Sequence, residues 1–177
     1  MVNLSMCYWV LVRGAGGVGK SITAWVLSQA IGGEYISIDK IVEMLAPEGC
    51  CLSPKMLASI ACQKAASRAK ETLALGTPVV IDWHFADPQA LEAIKGELSG
   101  FQSFAFCLHA PLNTCLVRDA ARERPVGEEN IREIHARVSD LPYGIPVSTE
   151  GRTPDEITSE MHEQICRDIA AETLSFS

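Results

Sequence analysis

The sequence predicts a three-layer α/β domain, with five parallel strands in one sheet and helices on both faces. Two observations carry that prediction. Short apolar runs rich in β-formers alternate with helical segments along the chain, the order of parallel β-α-β units. A glycine-rich stretch, Gly14-Ala15-Gly16-Gly17-Val18-Gly19-Lys20-Ser21, also falls between the first strand and the first helix, where a phosphate-binding loop has to sit. With 177 residues, 47% hydrophobic and 21% charged, the chain suits a single globular domain spanning residues 1–177.

The elements follow in order. Cys7 to Arg13 is an apolar run bounded by glycine and reads as a buried strand. Ser21 to Ile31 places Ile22, Trp25, Val26 and Ile31 at helical spacing, and Gly32-Gly33 stops that helix. Tyr35 to Ile38 is a second strand ending on Asp39, followed by a short helix from Lys40 to Ala46. Ser53-Pro54 opens a long helix to about Leu75, with serine as N-cap and proline in the first turn. Pro78 to Asp82 is the third strand, and Asp87-Pro88 caps a helix over 89–98. Phe101 to Leu108 is the fourth strand. Pro111 starts a helix carrying Arg118 and Arg122, and a turn near Pro125-Val126-Gly127 leads into a helix over 128–139. Ile145 to Ser148 is a weak fifth strand whose Pro146 predicts a sheet edge. Thr153-Pro154-Asp155-Glu156 is a capping box that starts a last helix to about Leu174.

The formal net charge of -7 disfavours a broad nucleic-acid surface, which works by Lys and Arg neutralising phosphates. A local basic stretch nevertheless holds Arg118, Arg122, Arg124, Arg132 and Arg137. Seven cysteines form no C-x-x-C pair and several lie in apolar runs, so they read as buried thiols of a protein in a reducing cytosol. The N-terminus lacks a basic leader, and no run reaches the ~20 apolar residues of a membrane helix. The expectation is a soluble, cytoplasmic protein.

The G-x-x-x-x-G-K-S pattern is the strongest single signal. Its glycines let backbone N–H groups wrap phosphate oxygens, and the following helix adds its positive end. The expected phosphate-binding positions are Gly14, Ala15, Gly16, Gly17, Val18, Gly19, Lys20 and Ser21, with Ile22 behind them. Lys20 reaches the β- and γ-phosphates of ATP, and the Ser21 hydroxyl binds Mg2+. A guanine-reading N-K-x-D is absent, and Ala15 stands where partitioning ATPases carry a second lysine.

In open α/β sheets, ligands gather at the carboxyl ends of the strands. Asp39 and Asp82 end two predicted strands and therefore face the cleft above the loop. Asp82, after Val79-Val80-Ile81, is the candidate Mg2+-side carboxylate; Asp39 is the candidate general base for an acceptor hydroxyl. The plainer readings are a helix N-cap for Asp39 and a turn cap for Asp82. Arg118 and Arg122, four apart on one predicted helix face, are candidate catalytic arginines of a short lid over about residues 115–130. Arg118, Gly151 and Arg152 are candidate nucleotide contacts. Trp83, His84 and Phe85 line the acceptor side.

This order of features resembles the small P-loop kinases of the polynucleotide kinase, zeta toxin and chloramphenicol phosphotransferase group. The resemblance implies a P-loop fold with strand order 2-3-1-4-5 and transfer of the ATP γ-phosphate to a hydroxyl. It also implies Asp39 as base and the R-x-x-x-R pair Arg118 and Arg122 as lid arginines. The chain departs from that group on the acceptor side: Lys40-Ile41-Val42-Glu43 lacks the usual arginine, and Trp83-His84 stands where Asp-x-Asn is common. The expected acceptor is a small-molecule alcohol or a nucleic-acid end, the latter disfavoured by the net charge. An ATP-driven regulatory switch without an acceptor is the alternative from another class.

Overall fold

The computed structural model describes residues 7–47 and 50–175. Its five strands are β1 (Tyr8–Gly14), β2 (Glu34–Ser37), β3 (Val79–Asp82), β4 (Gln102–His109) and β5 (Ile145–Ser148). The helices are α1 (Lys20–Ala30), α2 (Ile38–Leu45), α3 (Pro54–Ala74), α4 (Pro88–Glu97), α5 (Leu112–Ala120), α6 (Glu128–Asp140) and α7 (Pro154–Ser175). All strand pairs are parallel, in the order β2-β3-β1-β4-β5. Pro146 lies on β5 at the sheet edge, where a missing N–H costs no ladder bond.

Alternation along β1 splits the core in two. Trp9 and Leu11 pack on one face with α2, α3 and α4, while Tyr8, Val10 and Val12 pack on the other with α1 and α7. On α3 the buried stripe is mostly alanine (Ala61, Ala65, Ala66, Ala69), which lets that helix lie close to the sheet. Cys7, Cys62 and Cys115 are buried as small apolar side chains.

Capping chemistry is as the sequence implies at three helices. Ser53 accepts from Met56 N, Asp87 from Gln89 N, and Thr153 and Glu156 close a reciprocal capping box. Three expectations need correction. The stripe of α1 that meets the core is Thr23, Ala24, Leu27 and Ser28, whereas Ile22 and Trp25 are half exposed. Next, β2 stops at Ser37, which caps α2 through its side chain and accepts from Lys40 N. Asp39 therefore sits inside the first turn of α2, not at a strand end, because burial of Ile38 starts the helix two residues earlier. Finally, α5 ends at Ala120, so Arg122 lies in the following turn and shares no helix face with Arg118.

Arg13, near the end of β1, is a fully buried charge. Its Nη1 donates to Leu141 O (2.6 Å) and Tyr143 O (3.1 Å), and its Nη2 to Phe85 O (3.1 Å) and Val138 O (3.4 Å). Burial pulls its pKa below the ordinary arginine value. Four carbonyls, from the C-terminal end of α6, the segment after it and the β3–α4 turn, thus converge on one guanidinium. Arg13→Met keeps the volume but leaves Phe85 O and Tyr143 O without a donor, at roughly 1–3 kcal/mol for a buried group, while Val138 O and Leu141 O keep the N–H groups of Leu141 and Tyr143. We expect a loss of about 2–4 kcal/mol in urea unfolding; a loss below ~1 kcal/mol would contradict the clamp.

Candidate active site

The segment between β1 and α1 turns on left-handed glycines, Gly17 (φ 79°) and Gly19 (φ 90°). Their reasons differ. A Cβ on Gly17 would fall 2.3 Å from the Cys115 carbonyl oxygen of α5, and one on Gly16 would fall 2.2 Å from Ile131 Cδ1 of α6. Those two glycines admit the helices packed behind the loop. A Cβ on Gly19 would meet only Ile22 Cγ2, at an ordinary 4.0 Å, so glycine is needed there for its backbone angle. As N-cap of α1 it offers no side chain, and the first turn holds no acid, so the helix begins with its N–H groups uncapped. An uncapped helix start preceded by a glycine loop is where an anion is stabilised.

Asp82, at the end of β3, is fully buried. Tyr35 donates its hydroxyl to Oδ2 at 2.9 Å, and Oδ1 has no hydrogen-bond partner. The Ser21 hydroxyl lies beside this carboxylate without closing a bond to Oδ1, and the Lys20 charge acts on it too. Burial raises the Asp82 pKa above the usual carboxylate range; Lys20, Ser21 and Tyr35 oppose that shift and Asp39 adds to it. The same burial, with Asp82 next, pushes the Tyr35 phenol upward, so it stays a donor at neutral pH. A buried carboxylate oxygen left open, beside a serine hydroxyl at a phosphate loop, fits Mg2+. That ion takes one or two protein oxygens and completes its shell with phosphate and water.

Asp39 is exposed in the first turn of α2. Its carboxylate is nonetheless the strongest charge acting on His84, followed by Lys20 and then Arg137. The structure thus gathers Asp39, His84, Lys20 and Asp82 at the carboxyl ends of β1, β2 and β3. His84 has its pKa lowered to about 4, chiefly by burial, so the ring is neutral at physiological pH.

The arginines are more engaged than the sequence suggests. Arg118 donates to the Thr149 hydroxyl and carbonyl, both at 3.0 Å, tying α5 to the turn before α7. Arg122 is half exposed and lies 3.6 Å from buried Asp119, which also accepts from Val126 N and Gly127 N. Arg152 is held by Ser148 O, Glu156 O and Glu160. Gly151 faces open space at φ 65°. Tyr35, Arg13 and Arg137 escaped the sequence reading. Tyr35 was findable only from register: Ser37 pairs with Asp82, and two residues back on the same face stands Tyr35.

A family model described as an AAA domain matches residues 10–141. The chain belongs to that family. Among solved structures, a gluconokinase from Sinorhizobium meliloti 1021 has a TM-score of 0.68 at 19% identity, covering 97% of each chain. The Deinococcus radiodurans tunicamycin resistance protein has a TM-score of 0.66 at 19% identity, covering 89% of this chain and 94% of its own. Shikimate kinase from Aquifex aeolicus vf5 reaches 0.63 at 14%, covering 90% and 97%. The AAA-domain chain therefore has the fold of the small P-loop kinases. No curated protein sequence matches significantly. Among the described residues, no helix is long and apolar enough to cross a membrane.

The Asp82 environment gives a prediction of opposite signs. The folded, nucleotide-free chain binds the Asp82 proton more tightly than the unfolded chain does. Stability therefore falls as pH rises from the ordinary carboxylate value through the raised one. Asp82→Asn removes that penalty and keeps the Tyr35 bond. We expect a melting temperature about 2–4 °C higher without nucleotide at neutral pH, together with loss of the Mg2+-dependent gain in ATP-analogue binding. Calorimetry and titration with and without EDTA read both; a less stable variant would sink the assignment.

Proposed function

We propose that this chain is an ATP-dependent phosphotransferase that moves the γ-phosphate to a hydroxyl of a small-molecule acceptor. One observation carries the reading. The uncapped start of α1 after the glycine loop, the half-satisfied Asp82 carboxylate and the exposed Asp39 converge at one end of the sheet. The neighbouring folds named gluconokinase and shikimate kinase support a small acceptor, and the net charge of -7 weighs against a nucleic-acid end.

In this reading the backbone N–H groups of residues 14–21 and the Lys20 ammonium hold the β- and γ-phosphates. Ser21 and Asp82 would hold Mg2+, which supplies countercharge to the phosphate oxygens when bound. Asp39 accepts the hydroxyl proton as the acceptor oxygen bonds to the γ-phosphorus. The bond from that phosphorus to the β–γ bridging oxygen breaks, and its electrons leave with ADP. Arg122, whose tie to Asp119 is long and half exposed, would swing to cover the transferred group. Arg118, bound to Thr149 close in sequence to Gly151 and Arg152, would contact the nucleotide in this reading.

The test follows γ-labelled ATP with oligonucleotide 5′ ends, nucleosides, sugar acids, polyols and aminoglycosides as acceptors. Label should pass to a small alcohol. Asp39→Asn should cut that transfer by at least ~100-fold, the usual scale for losing a general base, with ATP-analogue affinity within about twofold. Fast hydrolysis without transfer to any acceptor would defeat this reading; slow turnover indifferent to Asp39→Asn would favour the ATP-switch alternative.

A further inference from the structure

Three consecutive residues after Asp82 are held more firmly than a loop requires. Trp83 is buried, and its ring lies 4.0 Å from the His84 imidazole, tilted by 37°. Phe85 is fully buried with φ 45°, the sole non-glycine positive φ among the described residues. A bulky side chain takes that conformation only when its surroundings fix it. Here they do: Arg13 Nη2 holds the Phe85 carbonyl at 3.1 Å, and Arg137 Nη2 reaches the Ala86 carbonyl at 3.5 Å.

The strained turn aims the Ala86 N–H at His84 Nδ1, at 3.1 Å. A backbone amide can only donate, so Nδ1 carries a lone pair and the neutral ring keeps its hydrogen on Nε2. Nε2 has no hydrogen-bond partner among the described residues, on a ring that is only partly buried. The charges closest in effect are Asp39 and Lys20, the proposed base and the phosphate-loop lysine. A donor is thus held beside the place where acceptor hydroxyl and γ-phosphate meet. It cannot serve as base there, because its outward nitrogen is already protonated.

We propose that His84 selects the acceptor by donating its Nε2–H to an oxygen adjacent to the hydroxyl that Asp39 deprotonates. The acceptor class is therefore a compound with two neighbouring oxygens, such as a vicinal diol or a 2,3-dihydroxy acid. A hydroxyl standing alone leaves the Nε2–H without a partner in a partly desolvated site and is rejected. This inference rests on the phosphotransferase reading.

Two measurements test it. Long-range proton–nitrogen correlation on protein labelled with 15N-histidine should show His84 as the neutral Nε2–H tautomer; an Nδ1–H tautomer overturns the proposal. Transfer is then compared within matched pairs: glycerol against 1,3-propanediol, glycerate against 3-hydroxypropionate, and gluconate against 5-deoxygluconate. The protein should favour the member with adjacent oxygens by at least ~10-fold in kcat/KM, mainly through KM. His84→Phe should bring that ratio close to one, and His84→Gln, which still offers an N–H, should recover part of it. A preference that survives in His84→Phe, or none in the unmodified chain, overturns the role of His84 alone. Absence of transfer to any alcohol defeats the phosphotransferase reading and this one with it.

Discussion

A carboxylate buried at the end of a parallel strand is costly to keep, and costlier when one oxygen has no donor. Asp82 is kept that way. The surrounding sequence reads as a set of partial answers to that charge. Tyr35 satisfies Oδ2, Lys20 supplies a nearby ammonium, and Ser21 brings a hydroxyl close without bonding Oδ1. None of the three closes the site, which leaves a place for a cation that arrives with its own phosphate ligands. In the proposed function the nucleotide-free fold carries that cost and cation binding would recover it. Such a trade is characteristic of functional sites, where stability is given up locally for binding.

The same logic explains how the phosphate loop is supported. Glycine in such loops is usually credited to phosphate contact, but Gly16 and Gly17 are fixed from behind by Ile131 and Cys115. A Cβ on Gly17 would strike the α5 backbone at Cys115, whereas one on Gly16 would displace the tip of the Ile131 side chain. Only Gly19, with its left-handed angle and uncrowded surroundings, is spent on exposing the start of α1. Part of what looks like a ligand motif is therefore a packing motif, and the two functions share four glycines.

Sequence and structure agree where local chemistry decides. All five strands, the Ser53-Pro54, Asp87-Pro88 and Thr153–Glu156 helix starts and the edge position of Pro146 follow from turn and cap residues within a few positions. The parallel order of the strands follows from the β-α-β alternation and the family resemblance. Asp39 shows where local reading fails: Ser37 and Asp39 are both good caps, and burial of Ile38 chooses between them. Arg118 and Arg122 fail for another reason, because helix spacing assumes a continuous helix and α5 stops between them. Arg13 and Tyr35 take their roles from tertiary pairing, since their partners lie 47 residues or more away in sequence. An arginine inside an apolar strand pattern gives no hint that four carbonyls will gather on it.

Those distant partners give α6 a role that neither arginine lid nor loop motif suggests. Its N-terminal half places Ile131 against Gly16, so it touches the phosphate loop. Its C-terminal end delivers the Val138 and Leu141 carbonyls to Arg13, and Arg137 to the Ala86 carbonyl. Arg13 in turn holds Phe85, whose backbone angle orients His84. One helix therefore stands against the glycine loop at one end and the Phe85–Ala86 turn at the other. A shift of α6 cannot loosen the phosphate loop without also disturbing the Arg13 clamp, because close-packed interiors transmit displacement rather than absorb it. The two halves of the site are joined mechanically through α6 and β1, and the buried guanidinium is the joint.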